Sequence, residues 1–221
     1  MSLSGTPSNP AVLDARWKEA MNCFDKGDAL GALRLYKALA SDGENEALVE
    51  VGNIHELGIT TGTPNLEEAA TWYRKAVFEI DDPKAHLGLA RMYFNGQLQS
   101  ESVSDAFLHH ATHAAERGEP LAWLMLGVAH ETGRFGARDT RRAKECYEYA
   151  AAQGMVLAQR RLARLAKESG HFATAMIRFS VALWNTFRYA LRDPKDPRLG
   201  GLDRMKEPHN RPMQPTAGSS G

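Results

Sequence analysis

Disulfides, long apolar runs and surplus charge are what this 221-residue sequence has little of, and each shortfall removes a class of protein. Two cysteines, Cys23 and Cys146, stand far apart in the chain, so no disulfide framework is expected and a reducing compartment is compatible. No stretch approaches the roughly 20 apolar residues that cross a bilayer. Residues 1–9 carry neither the basic nor the apolar segment of a secretory signal, so the expected location is cytoplasmic. Lys plus Arg and Asp plus Glu both number 27, which leaves no overall positive charge to grip a nucleic-acid backbone. Aromatic residues make up only 8%. Trp72, Tyr73, Tyr147 and Phe179 fall at expected core phases, so no stacking platform for single-stranded nucleic acid is foreseen. The sequence holds no phosphate loop ending in G-K-[ST], no G-x-S-x-G elbow and no H-E-x-x-H, so neither an enzyme nor a cofactor is expected.

What the chain does have is a period. Ala47, Ala85, Ala122 and Ala158 recur at intervals of 38, 37 and 36 residues. The glycines Gly58, Gly96, Gly133 and Gly170 follow at 38, 37 and 37, and the series Ala32, Ala69, Phe107, Ala143 and Ala175 at 37, 38, 36 and, across the short Gly170 turn, 32. A period of this length marks stacked helix pairs, since one pair cannot bury its apolar stripe alone. A small residue at fixed phase lets two helices approach closely, and the glycine ends the helix in a left-handed conformation. Asn65 with Glu68, Ser102 with Asp105, and Asp139 stand where caps would start second helices.

The stretches AHLGLARMYFNG, from Ala85 to Gly96, and Ala69-Thr-Ala-Trp72-Tyr73-Arg-Lys-Ala76 carry a resemblance. They resemble the two halves of the Sel-one-like repeat, a relative of the tetratricopeptide repeat. The resemblance covers about Arg16 to Leu191 and implies an all-α, right-handed α/α superhelical solenoid of about five two-helix repeats. His55 and His130 replace the family's tyrosine, Ala90 and Ala163 its glycine, and Phe107 an alanine. The expected organisation is a disordered N-terminus at 1–9, the solenoid at 10–192, and a disordered Pro-rich tail at 193–221.

The resemblance further implies a non-enzymatic scaffold or adaptor that binds a protein or peptide in a concave groove. Groove positions transferred from tetratricopeptide arrays are Lys18, Asn22 and Asp25; Val49, Asn53 and Glu56; Leu87, Arg91 and Phe94; Leu124, Val128 and Glu131; and Arg160, Arg164 and Lys167. The middle of this surface is apolar and its far end basic, so a partner with an acidic end is expected, the apolar members supplying contact area. Two alternatives remain. His109 and His113, four apart on one helix face, form the one metal-like pair, with His110 at the family's aromatic position; no metal is expected there, because zinc takes three or four protein ligands. His55 and His130 are expected to be packed and hydrogen-bonded. The last helix, His171 to about Arg192, has an apolar stripe of Phe172, Met176, Phe179, Leu183, Phe187 and Ala190 that is expected to close the stack. Its aromatic and basic residues also suit a membrane-surface helix or a homodimer contact.

Overall fold

A computed structural model describes residues 10–193 and 196–199, and among these there are ten α-helices, one 3-10 turn and no strand. The helices are α1 (Pro10–Asp25), α2 (Ala29–Ser41), α3 (Ala47–Leu57), α4 (Leu66–Ile80), α5 (Pro83–Phe94), α6 (Val103–Glu116), α7 (Pro120–Thr132), α8 (Thr140–Ala152), α9 (Val156–Glu168) and α10 (Phe172–Arg192). The fold class is the all-α array of two-helix repeats. No described helix is long and apolar enough to cross a membrane.

The local chemistry agrees with the spacing. Gly58, Gly96, Gly133 and Gly170 all have positive φ. At Gly58 a Cβ would also meet the backbone carbonyl carbon of Thr63 at 2.3 Å, so only glycine fits. Asn65 accepts from the Glu68 amide at 3.2 Å and Ser102 from the Asp105 amide at 3.3 Å. Asp139 accepts from the amides of Arg141 and Arg142 at 3.0 and 2.9 Å. These caps satisfy amide groups that a helix start leaves without partners.

The residues divide into two compact units, one ending at Lys75 and the other beginning at Ala76. In the first, α1 packs on α2 and α2 on α3. Its core holds Ala20, Ala32, Tyr36, Leu39, Ala47, Val51 and Ile54. Trp17 sits edge-on to Tyr36 at 5.4 Å, and burial pushes the Tyr36 hydroxyl up to about 12. In the second, α5 to α10 pack each on the next. The residues that carry the period, Ala85, Ala122, Ala158, Phe107, Ala143 and Ala175, are all buried. Cys23 and Cys146 are free thiols, and burial raises the Cys146 thiol to about 11.

Two expectations change at the end of the chain. The α10 stripe does not close the stack: Phe172, Met176, Phe179, Leu183 and Phe187 are each at least half exposed. The helix lies on α9 through a narrower strip, Ala175, Ala182 and Tyr189. Of the stretch expected as a disordered tail, Asp196 to Leu199 is ordered, with Pro197–Leu199 a 3-10 turn against α9 and α10. Arg198 stacks over the Tyr189 ring at 4.1 Å and donates to buried Asp196, which holds that carboxyl down at about 2. Residues 1–9, 194–195 and 200–221 lie outside the described residues, and with them the rest of the two disorder expectations.

Candidate functional site

The leading-helix face was the sequence's candidate, and the structure sorts its residues into those spent on packing and those at the surface. Leu124, Val128, Phe94 and Val49 are buried, Leu124 completely. They belong to the core and provide no contact area, which corrects that part of the groove reading. For Phe94 the reason is its neighbours: it lies 5.6 Å from Phe107 and 5.8 Å from Phe135, and Phe107 stacks on Phe135 at 4.2 Å. The Arg134 guanidinium covers Phe94 at 4.9 Å, so the α7–α8 loop closes over this cluster. Leu87 and Arg91 are partly buried, whereas Arg160, Arg164 and Lys167 are exposed, as are Lys18, Asn22 and Asp25.

The two acidic positions are also engaged. In the first unit, the Tyr73 hydroxyl bonds Glu56 and the Asn53 side-chain oxygen, both at 2.7 Å, and the Asn53 amide reaches Glu50 at 3.2 Å. In the second unit, Tyr147 donates to Glu131 at 2.6 Å. Glu131 also takes Arg161 at 3.0 Å and pairs with Arg164. Burial pushes the Glu131 carboxyl up, but the Tyr147 hydrogen bond and the two guanidiniums overcome it and hold the group below its ordinary range. Arg164 therefore already carries a carboxylate from its own chain. Arg160 and Lys167 form no ion pair among the described residues. On α10, which packs against α9, Phe172, Met176, Ile177, Leu183, Trp184 and Leu191 are more than 60% exposed.

A second constellation lies on α5, α6 and the turn before α5. His86 of α5, 1% exposed, places Nε2 3.0 Å from Asp81 Oδ1 and Nδ1 3.0 Å from His110 Nδ1. His113 stacks on His86 at 4.2 Å; its Nδ1 is buried without a hydrogen bond, 3.7 Å from Asp81. His109 is exposed and its ring centre lies 5.8 Å from that of His86. Burial lowers the His86 pKa against the opposing pull of Asp81. Burial pushes Asp81 up, yet His86, His113 and Arg117 bring it below its usual value. The sequence reading paired His109 with His113 and missed His86 and Asp81. A signal was present: His86 follows the small-residue marker Ala85, a phase that holds fully buried Leu48 after Ala47. Burial also lowers His55 and His130, but His55 Nε2 is buried without a partner, contrary to the hydrogen bond expected of it.

Three stretches, residues 45–77, 83–107 and 121–155, match the Sel1 repeat family. A protein of Neisseria meningitidis serogroup B, uncharacterized and called NMB1327, is 35% identical over 96 residues. That alignment takes in 43% of this chain and 20% of the relative, so the chain spans about one fifth of the curated protein it matches. Among solved structures, a Sel1 repeat protein from Oxalobacter formigenes aligns with a TM-score of 0.68 at 21% identity, over 93% of this chain and 90% of that one. The protective antigen c5321 of uropathogenic Escherichia coli, which displays an SLR fold, aligns at 0.66 and 24% identity over 88% of this chain and 44% of its own. The chain thus carries three Sel1 repeats, each on a helix pair of the form described above.

Proposed function

We propose that this chain is a non-enzymatic scaffold whose main docking surface is α10, and that the surface takes an acidic amphipathic helix of a protein partner. The observation that carries this is the exposed apolar side of α10. A helix that is apolar nearly all round is ordinarily buried, and exposed patches of this kind mark interaction sites. The second helices α6 and α8 are each packed against the leading helix that follows, α7 and α9. Phe179 occupies the phase of Tyr147, which is fully buried, yet is itself 50% exposed. The occupant of the equivalent face in each earlier pair is a helix, so a helix is the shape that fits. Its charge follows from the sequence of α10: no acid occurs from Phe172 to Arg192, and of its charged residues Arg178 already pairs with Glu148 at 3.3 Å, which leaves Arg188 and Arg192. Like charges would meet across a contact of α10 with a second copy, whereas an acidic helix complements it.

The test is calorimetric titration of the full chain with a synthetic helix of Leu, Ala and Glu, against a Lys-patterned control. The acidic helix should bind, and Phe179→Glu with Leu183→Glu should weaken it by more than about tenfold. Sedimentation showing a dimer at micromolar concentration would assign α10 to a second copy. Binding only to anionic vesicles would assign it to a membrane surface. Either result overturns the proposal.

A second reading, the groove, keeps support from the α9 face. Arg160, Arg161, Arg164 and Lys167 face only Glu131 and Glu168 as carboxylate partners, so two positive charges remain for an acidic end of a bound peptide.

A further inference from the structure

We propose that His86, His109 and His110 form a binding site for a divalent metal ion of the zinc class, with Asp81 orienting His86 from behind. Each of the three residues offers a ring nitrogen within 4.8 Å of the other two. The lone pair of an imidazole nitrogen lies in the ring plane, so rings can share an ion only where their planes cross. The planes of His86 and His109 are inclined by 60°, those of His86 and His110 by 54°, and those of His109 and His110 by 65°. His113 is different. Its ring is parallel to His86 within 9°, and two parallel in-plane lone pairs do not meet on one ion, so His113 forms the wall of the site.

The tautomer of His86 follows from its carboxylate partner. Asp81 Oδ1 accepts the Nε2 proton at 3.0 Å, which leaves the Nδ1 lone pair directed at His110, 3.0 Å away. A carboxylate bonded to the far nitrogen of a ligating histidine both fixes the ring and raises its basicity. Two nitrogens on a tetrahedral zinc ion, with bonds of about 2.0 to 2.1 Å, stand roughly 3.3 Å apart, so the observed pair needs to open by about 0.3 Å. Three histidines leave the fourth corner to water, the form of an open zinc site, and imidazole donors suit zinc, copper, nickel and cobalt. Exposed His109 gives the ion its way in.

Asp81 is held as a positioning residue should be. It is the one non-glycine residue with positive φ, at 51°, among the described residues, a conformation that persists only where neighbours enforce it. Arg117 supplies the enforcement: its Nη1 donates to the Asp81 carbonyl at 2.7 Å, and its Nη2 pairs with the carboxylate.

The experiment is calorimetric titration of the tag-free full chain with Zn2+, alongside visible absorption of the Co2+ form. One equivalent should bind with a Kd of about 1 μM or tighter, and Co2+ should give the intense absorption of a tetrahedral site. His109→Ala, at an exposed position that leaves the fold intact, should weaken Zn2+ by more than about tenfold, and Asp81→Asn by about 10- to 100-fold. His113→Ala should change affinity by less than about threefold, since it supplies no ligand. No binding at 100 μM Zn2+, roughly a hundred times the expected Kd, would overturn the site, as would affinity that survives His109→Ala with His110→Ala. A loss caused by His113→Ala alone would overturn this choice of ligands.

Discussion

The helix pair α7–α8 and the helix pair α5–α6 occupy the same phase of the repeat and solve one packing problem in opposite ways. In α7–α8 a glycine, a tyrosine and a glutamate form a set: a Cβ on Gly127 would lie 2.4 Å from the Tyr147 ring, and the tyrosine hydroxyl donates to Glu131. The pair α3–α4 repeats that set with Gly52, Tyr73 and Glu56, the Cβ distance being 2.6 Å. In α5–α6 the same phases hold Ala90, Ala111 and Phe94, all buried. Once no ring needs the space, the glycine becomes alanine; once no hydroxyl needs an acceptor, the glutamate becomes phenylalanine. The three positions change together, which is how a close-packed interior behaves. The polar chemistry of α5–α6 is displaced to His86 and its neighbours.

The largest effect tests whether the set is a unit. Tyr147→Ala should cost about 3 to 5 kcal/mol, because it empties the space beside Gly127 and removes the donor to Glu131. Carrying the whole α5–α6 solution across, Gly127→Ala with Tyr147→Ala and Glu131→Phe, should recover more than about 1 kcal/mol of that loss, since positions in contact are not additive. Denaturant unfolding of the single and triple variants decides it. A triple variant as unstable as the sum of its parts would mean the three positions are independent.

Next comes the charge at the centre of the polar set. Glu131→Gln should cost about 3 kcal/mol at pH 7, as it leaves the Tyr147 hydroxyl an acceptor but takes away the charge that pairs with Arg161 and Arg164. The carboxyl is held below its ordinary value in the folded chain. Its contribution is therefore complete above the ordinary carboxylate range and is lost as pH falls through the folded value. Unfolding followed from pH 7 to pH 3 should show an acid loss in the parent that is smaller in Glu131→Gln. Gly127→Ala alone, forced against the ring, should cost about 1 to 3 kcal/mol, whereas Ala90→Gly in α5–α6 should cost only about 1 kcal/mol, the ordinary helix penalty.

How far the sequence carried can be seen at these residues. Helix pairs, caps and closing glycines were legible, because Ala85, Ala122 and Gly133 answer to local geometry that a period exposes. The burial of Phe94 was not, because it depends on Phe135 folding back from a loop, and nothing periodic predicts that contact. The stripe of α10 was legible as apolar but not as open: the period of its large residues is offset from that of Ala175, Ala182 and Tyr189, and the smaller set won the contact with α9. His86 was invisible as a neighbour of His110 because the two stand 24 residues apart on different helices.

The smallest effect on stability bears on the groove reading, and the structure changes which residues test it. Arg164→Glu would confound binding with folding, since it sets two carboxylates together at Glu131. Arg160 and Lys167 are exposed, and reversing both should change stability by less than about 0.5 kcal/mol. The same double variant should weaken an acidic-ended peptide by about tenfold and reduce the salt dependence of its binding, because rim charges act mainly on encounter and screening. The acidic helix proposed for α10 should be affected far less, by under about threefold, since its contact is chiefly apolar. Equal losses for the two ligands would show that α9 and α10 present one continuous surface and would end the distinction between the groove and the open helix.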